Sequence, residues 1–398
     1  MKYLFIFILI SISQSSFSQN QWVQKDSING APRSVASAFV LNGEGYVLAG
    51  LDQDGFRRKM YSYTFWQDDW DDEVSIGGAS GSGLARGSAS SFSLNNKGYI
   101  CLGQGETNPF FNDLWEFDPI SNTWTQKASF IGSPRRSAVS FTIDSLAYVG
   151  TGISANGFEK DMYSYSSTTN TWVQKNDFGG SARKEAVGFT MGGQAYVGTG
   201  DDGIYTNDFW QYQPVSDSWI QKSDFPGTPR KGAVGWGVFP SAFIATGEDN
   251  TFAFKKDVWE YNYFSDTWTQ RADFIGEGRS NAIAFVLLDL AFVGAGYNGQ
   301  FFDDVYAYRR IVGVDDIENK PSFTIYPNPV QSTFSIRTEL QNAEIKIISM
   351  SGDRINLETS KTPEGYKAIR PNIPAGNYFI QITDVESKIT LQEKITLL

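Results

Sequence analysis

The sequence contains no histidine among its 398 residues. This absence excludes Ser-His-Asp and Cys-His catalysis, histidine-ligated zinc or copper, and the usual acid–base group near neutral pH. Cysteine is almost absent as well. Cys101 stands alone in the apolar run 99–102, so it can form no intramolecular disulfide, and we expect it to be a small buried hydrophobic residue. Only carboxylates, Tyr, Lys, Arg, Ser and Thr remain for chemistry.

Positive charge is also scarce, with 33 Lys and Arg against 44 Asp and Glu, a net charge of −11. Binding to a nucleic-acid backbone depends on Lys and Arg that release counterions, so we expect no nucleic-acid partner. Apolar runs are short except at the N-terminus, where one Lys precedes about ten apolar residues and Ser16 and Ser18 flank a cleavage point before Gln19. We therefore predict a signal peptide at 1–18 and an exported protein without a transmembrane segment.

What the sequence has in abundance is aromatic residues, at 15%, and glycine, with 39 copies, a mixture that favours β-strands and turns. A repeat of 47 to 53 residues organises them. Each copy carries an arginine, an aromatic residue six and thirteen positions later, and a glycine seventeen positions later. The arginines that begin the first to sixth repeats are Arg33, Arg86, Arg135, Arg183, Arg230 and Arg279. The glycines are Gly50, Gly103, Gly152, Gly200, Gly247 and Gly296.

Each repeat reads as four short strands, a to d, and d carries a tryptophan. These tryptophans are Trp22, Trp70, Trp124, Trp172, Trp219 and Trp268. A four-stranded unit of this length cannot bury its own faces, whereas radial packing of several units can, so the pattern predicts an all-β propeller with six blades. The sixth repeat lacks a Trp strand, and residues 21–25 match the missing phrase. We predict that this N-terminal strand closes the ring.

The repeat resembles the kelch family over roughly residues 22–310, within a predicted propeller domain at 19–310. The resemblance rests on an arginine before strand a, glycines after strand b, Asp-x-aromatic-x-aromatic in strand c and Trp in strand d. The first repeat departs from the pattern, because Lys59 stands where the others have Asp113, Asp161, Asp208, Asp257 and Asp304. The resemblance implies that the loops between strands b and c, together with those between d and a, form one face where partners dock.

A linker is predicted at 311–322, followed by a small β-sandwich at 323–398 with turns around 351–353 and 374–376. This segment resembles the type A C-terminal sorting domain of type IX secretion in Bacteroidota. The matching residues are 327–329 (Pro-Asn-Pro), 349–352, 375–378 and 394–398. The resemblance implies recognition by the type IX machinery and delivery to the outside, either released or attached at the outer-membrane surface. A generic adhesive β-module is the alternative.

The loops after strand b carry aromatic residues beside polar ones, which suits sugars or peptides. The candidate ligand-binding residues are Phe56, Phe110, Phe111, Phe158, Tyr205, Phe252 and Phe301. The alternative is that these side chains fill gaps between blades. For the six arginines we favour a structural role, such as pairing with the Asp that opens strand c, over a ligand-binding ring. The segments 52–55 and 201–203 are similar to calcium loops but lack the spaced ligands and the closing Glu, so we expect neither a metal site nor a cofactor.

These observations favour a monomeric propeller that binds a glycan or a protein without catalysis. The alternative is a carbohydrate-active enzyme similar to the sialic-acid mutarotases, which would work with carboxylates and arginines. Its candidate residues are Glu106, Glu185 and Glu248.

Overall fold

A computed structural model describes residues 21–81, 84–310, 323–338, 340, 342–349, 354–384 and 390–398. The predicted signal peptide at 1–18 and the predicted linker at 311–322 lie outside these residues. The described part is all-β: apart from one short 3-10 turn at Gly78–Ser80, its regular elements are strands joined by turns and loops.

Six four-stranded antiparallel sheets occupy residues 21–309, one for each repeat. The strands of the first three sheets are Ser37–Leu41, Glu44–Leu48, Met60–Thr64 and Asp69–Glu73; Ser90–Leu94, Lys97–Cys101, Leu114–Asp118 and Thr123–Lys127; and Val139–Ile143, Leu146–Gly150, Met162–Ser166 and Thr171–Lys175. Those of the other three are Val187–Met191, Gln194–Gly198, Phe209–Gln213 and Ser218–Gln221; Val234–Val238, Ser241–Ala245, Val258–Asn262 and Thr267–Arg271; and Ile283–Leu287, Leu290–Gly294, Val305–Arg309 and Gln21–Lys25.

The pattern of burial follows the position of each strand. Strand a alternates between buried and half-buried residues, as in Ser37–Leu41, because one of its faces borders a central channel lined by small residues from all six first strands. Strand b is buried along almost its whole length, as in Leu146–Gly150, since neighbouring sheets cover both of its faces. Cys101 ends one of these strands and is fully buried, and burial raises the pKa of its thiol.

The N-terminal strand Gln21–Lys25 completes the sixth sheet by pairing antiparallel with Val305–Arg309. Trp22 lies opposite Tyr308 in this register, and their ring centroids are 4.8 Å apart. The indole also meets Phe274 edge-on at 5.0 Å and is only 8% exposed. The first strand of the described chain is thus held by the last strand of the repeat region.

Backbone hydrogen bonds join each sheet to the next at the end of the channel where the b–c loops lie. The residue two positions after each repeat arginine donates its N–H to the carbonyl of the equivalent residue in the preceding repeat, over 2.8–3.1 Å. Val35 in turn donates to Asn281, so the chain of six bonds returns to its start. We call this the mouth ring, and its members are Val35, Ser88, Ser137, Glu185, Gly232 and Asn281.

Short strands fold some loops back on themselves beside the mouth ring. They are Leu51–Asp52 and Gly55–Phe56; Arg135–Arg136, Ile153–Ser154 and Gly157–Phe158; and Arg230–Lys231 and Glu248–Asp249. The face that carries these loops is called the loop face below.

Residues 323–397 form two further four-stranded sheets around a core of their own. The strands are Phe323–Tyr326, Thr333–Thr338, Gly365–Ile369 and Thr359–Thr362 in one sheet, and Arg354–Asn356, Ala343–Ser349, Gly376–Asp384 and Thr390–Leu397 in the other. Phe334 and Ile336 from the first sheet share this core with Ile347 and Ile380 from the second. The arrangement is a β-sandwich.

Candidate functional site

The repeat arginines form a buried frame beneath the loop face. All six are at most 2% exposed, and five of them make a two-bonded ion pair with the aspartate before strand c. The Arg86 guanidinium, for example, reaches both oxygens of Asp113 at 2.7 Å and also donates to the carbonyl of Leu102. A planar guanidinium matches a carboxylate in this way, which fixes the start of strand c against the end of strand b.

Arg33 is the exception, because Lys59 replaces its aspartate. Its guanidinium contacts the Tyr61 hydroxyl at 3.3 Å and lies 4.9 Å from the centre of the Tyr61 ring. Lys59 turns outward to Asp72, with 2.9 Å between Nζ and Oδ2. The first repeat therefore keeps its arginine buried with an aromatic partner instead of an anion.

The repeat glycines connect this frame from sheet to sheet. Each glycine N–H donates to the carbonyl of the arginine in the next repeat at 2.7–2.9 Å, and Gly296 donates to Arg33. The six glycines have φ between +93° and +107°. A Cβ on any of them would lie 2.7–3.0 Å from a carbonyl oxygen, so both the conformation and the close approach require glycine.

Unlike this frame, the side chains displayed around the mouth ring differ among the repeats. The residue after each repeat arginine is Ser34, Gly87, Arg136, Lys184, Lys231 or Ser280, and its bridged partner after the glycine is Leu51, Gln104, Ile153, Asp201, Glu248 or Tyr297. At these two positions, charged side chains therefore occur only in the third, fourth and fifth repeats. The scaffold is regular, but the surface it displays at the channel is one-sided.

Four of these side chains, together with Glu185 and Tyr205, meet between the fourth and fifth repeats, and we call the six residues the mouth cluster. Its members are Lys184, Glu185, Asp201, Tyr205, Lys231 and Glu248. Lys184 Nζ lies 3.5 Å from Asp201 and 3.7 Å from Glu185. Lys231 Nζ lies 4.0 Å from Glu185 and 3.9 Å from Glu248, and the Tyr205 hydroxyl donates to Glu248 at 3.0 Å. Glu185 thus stands between two lysines.

The electrostatics of the cluster keep Lys231 protonated. Burial alone would lower the pKa of this ammonium, but Tyr205, Glu185 and Glu248 outweigh burial and hold it above its ordinary value. Burial likewise raises the pKa of the Tyr205 phenol, which stays a neutral hydrogen-bond donor and acceptor. The ion pairs of the cluster are 3.5–4.0 Å long and only about one-fifth exposed or less, so donors and acceptors lie side by side at the mouth.

The aromatic residues predicted to bind ligand are spread around the loop face, and no single open patch contains them. Phe56 packs against Gly87 of the next repeat, Tyr205 belongs to the mouth cluster, and Phe301 lies 5.1 Å from the Tyr297 ring. Phe110 and Phe158 are half-buried on neighbouring loops, and Phe252 is 74% exposed. Phe111 is 9% exposed beneath the Arg86 guanidinium at 4.1 Å, which leaves this residue almost no surface for a ligand.

The two segments with aspartates in calcium-like spacing are held by protein partners. Asp52 accepts hydrogen bonds from Arg57 and from the Asp54 N–H, and Asp201 pairs with Lys184 and accepts from the Gly203 N–H. Throughout the described ranges, no three His, Cys, Asp or Glu side chains are grouped so that they could hold a metal ion.

The three glutamates singled out from the sequence separate in space. Glu185 and Glu248 both approach Lys231, whereas Glu106 accepts the Phe56 N–H at 3.3 Å between the first and second repeats. Sequence reasoning missed the lysines of the mouth cluster. Their signal was available: Lys184 and Lys231 directly follow the repeat arginines, at a position where the repeats vary.

Comparison with known proteins gives a family for the C-terminal part of the chain and a similar fold for the repeat region. Residues 324–397 match the family described as the secretion system C-terminal sorting domain, so the chain carries a type IX sorting domain that implies export and secretion or attachment at the cell surface. A search of curated proteins gives no match. None of the described residues belongs to a helix with the length and apolar character needed to cross a membrane.

The solved structure of YjhT, a kelch-like propeller, is similar to this chain with a TM-score of 0.59 and 16% sequence identity. The match covers 71% of this chain and 96% of YjhT. At this identity the likeness concerns the fold alone. It supports a β-propeller for the repeat region.

Proposed function

We propose that residues 19–310 form a six-bladed kelch-like β-propeller, closed by the N-terminal strand, that binds a glycan or a protein at its loop face without catalysis. The protein would be exported by the type IX machinery of a Bacteroidota bacterium after signal-peptide cleavage and would act outside the cell or on its surface. The type IX sorting domain supports this route.

The observation that carries the proposal is the loss of repeat symmetry at the channel mouth. A residue that every sheet needs should recur in every repeat, as the arginines and glycines do. The mouth cluster does not recur, and the stability of the sheets gives no reason for placing two lysines, three carboxylates and a tyrosine between only two repeats. Adjacent donors and acceptors on a rigid scaffold are what recognition of a polar ligand requires.

A binding role fits the distribution of the aromatic residues as well. Half-buried rings at several junctions between repeats surround the mouth, so an extended ligand could cross the face and meet more than one of them. The sequence lacks histidine, and each carboxylate of the mouth cluster already has a lysine or tyrosine partner.

One observation favours the mutarotase-type enzyme as a second candidate. Glu185 and Glu248 flank Lys231 at about equal distance, an arrangement that could provide an acid and a base if a sugar displaced the lysine. Mutarotation of a reducing sugar above its spontaneous rate, abolished in Glu185→Gln and Glu248→Gln, would establish the enzyme and refute the non-catalytic role.

The test of the proposed function is a glycan and peptide array probed with the full-length secreted protein. Lys231→Met, which removes the central cation of the mouth cluster, should weaken binding of the captured ligand by about tenfold or more. Lys97→Met is the matched control, because Lys97 pairs with Asp118 at the a–b turn, at the opposite end of strand b from the repeat glycine. Equal loss in both variants, or none in Lys231→Met, would contradict the site.

A further inference from the structure

We propose that a groove at the junction of the second and third repeats is a subsite for a neutral pyranose sugar. This inference rests on the proposed binding function, which it extends by naming the chemistry of the ligand. The groove is a cavity of about 290 Å³ on the loop face, separate from the residues of the mouth cluster.

Three segments build the groove. Asn108, Pro109 and Phe110 come from the b–c loop of the second repeat, Ser133 and Pro134 from the loop before Arg135, and Asn156 from the b–c loop of the third repeat. The Phe110 ring and the two prolines give it a mostly apolar surface. Flat apolar surface of this kind matches the C–H face of a pyranose ring.

The polar groups at its edge have hydrogen-bonding capacity to spare. Asn108 uses its Oδ1 to accept the Phe110 N–H at 3.2 Å, which leaves its Nδ2 available. Within the described residues, the Asn156 amide and the Ser133 hydroxyl have no protein partner. Ser154, by contrast, already donates to Glu159 at 2.6 Å. Two amides and a hydroxyl around an aromatic ring are a suitable set for sugar hydroxyls, which both donate and accept.

Two equivalent junctions are occupied by the protein itself. Between the first and second repeats, Phe56 packs on Gly87 and its N–H donates to Glu106. Between the fourth and fifth, Tyr205 bonds to Glu248 through its hydroxyl and to Asn250 through its N–H. At the junction of the second and third repeats the Arg136 guanidinium donates to the Gln104 amide oxygen, but the groove beside Phe110 stays open next to this bond.

The absence of charge in the groove selects the class of sugar. None of its lining residues is ionisable, so an acidic sugar would lose hydration without gaining an ionic partner. A neutral hexose or N-acetylhexosamine requires no counter-charge. The charged mouth cluster is available to the rest of a longer ligand.

The experiment is calorimetric titration of the full-length protein with a panel of neutral hexose and N-acetylhexosamine oligosaccharides. Phe110→Ala should weaken binding by about tenfold or more, and Asn156→Ala, on an exposed side chain that folding does not need, by about threefold or more. Trp66→Ala is the control, because its ring is 83% exposed in the turn between the strands Met60–Thr64 and Asp69–Glu73, away from the loop face, and this variant should bind as the wild type does.

The outcomes separate this subsite from the proposed function. Binding that Lys231→Met abolishes and Phe110→Ala leaves intact would overturn the subsite alone. Capture of a peptide or an acidic glycan with no affinity for the neutral panel would also overturn it. Binding that Phe110→Ala and Asn156→Ala both weaken, with unchanged melting temperature in Asn156→Ala, supports it.

Discussion

Glycine is required at the end of strand b for two separate reasons, and the chain offers a pair of residues that separates them. Gly152 has φ +93°, and its Cβ would lie 2.7 Å from the Arg136 carbonyl oxygen. Gly157, five residues later, has φ +113° with open space around it. Gly157→Ala should therefore cost about 1–3 kcal/mol from backbone strain alone.

Gly152→Ala should cost more than Gly157→Ala, because the clash adds to the strain and disturbs the bond from Gly152 to Arg183. Urea unfolding of the two variants measures the difference directly. Equal free energies of unfolding would show that the close approach to Arg136 contributes nothing.

The buried arginine–aspartate pairs should make stability depend on acid pH. Burial by itself would raise the pKa of Asp161, but the Arg135 guanidinium and the Tyr163 hydroxyl hold it below its ordinary value. A carboxyl whose pKa is lower in the folded state adds stability above its unfolded pKa of about 3.9 and loses that contribution as the pH falls through the folded value. With no histidine in the chain, we expect nearly constant stability between about pH 6 and 8.

Asp161→Ala should lower the free energy of unfolding at pH 7 by about 3 kcal/mol, because it leaves the fully buried Arg135 charge without its anion. The loss relative to wild type should shrink as the pH approaches 3, where the wild-type pair weakens too. Asp177→Ala is the control, since this carboxylate is 48% exposed and 3.8 Å from Lys160, and its effect should stay within about 0.5 kcal/mol. A pH-independent difference for Asp161→Ala would contradict the account.

Single residues also show how far the sequence alone could lead. The aspartate partner of the arginines was foreseeable as one option, because both residues recur at fixed offsets. The contact of Arg33 with Tyr61 was not foreseeable. The aspartate is missing in this repeat, and no recurring position in the sequence predicts which residue contacts the arginine in its place. Phe111 resembled the other loop aromatics in sequence, and only its packing under Arg86 separates it from them.

Among the strands, the N-terminal one pairs two distant parts of the chain, residues 21–25 and 305–309. It covers the edge Val305–Arg309, and Trp22 packs on Tyr308 and Phe274. Trp22→Ala should lower the free energy of unfolding by about 3–5 kcal/mol, because the Trp22 side chain is only 8% exposed and its removal leaves a cavity. Val23→Ala should be nearly neutral, because Val23 is 53% exposed.

Urea unfolding with light scattering tests both variants. Loosening of the strand exposes a sheet edge, so Trp22→Ala should also scatter more light at low denaturant than Val23→Ala. Similar stability and scattering for the two variants would show that the strand is dispensable.

The strand order was predictable because the repeat has a constant phase and because residues 21–25 copy a phrase found at the end of other repeats. The mouth ring was not, since its members share a left-handed backbone and no side-chain type: Val35, Ser88 and Glu185 all adopt φ near +50° there. Nothing in the sequence indicates that Glu185 adopts this left-handed conformation. The sequence could therefore point to Lys184 and Lys231 beside the repeat arginines, but the position of Glu185 between them is seen only in the structure.

At the scale of the whole molecule, among the residues that the structure describes, the core of the C-terminal sandwich shares no side chain with the six buried clusters of the repeat region. The core of 323–397 draws its buried side chains only from that segment. We therefore predict that deletion of 323–398 leaves the repeat region with an unchanged melting temperature but abolishes delivery to the cell surface or medium, because the sorting domain is lost. Fractionation of cells that express both forms checks this, and normal export of the truncated protein would contradict it.

The most direct test of the account is quantitative binding of the full-length protein to the ligand captured on a glycan and peptide array, compared with Lys231→Met and Lys97→Met. We expect one ligand class, a loss of affinity of about tenfold or more in Lys231→Met, and unchanged affinity in Lys97→Met. Unchanged affinity in Lys231→Met, or turnover of the captured sugar, would contradict a non-catalytic recognition site at the channel mouth.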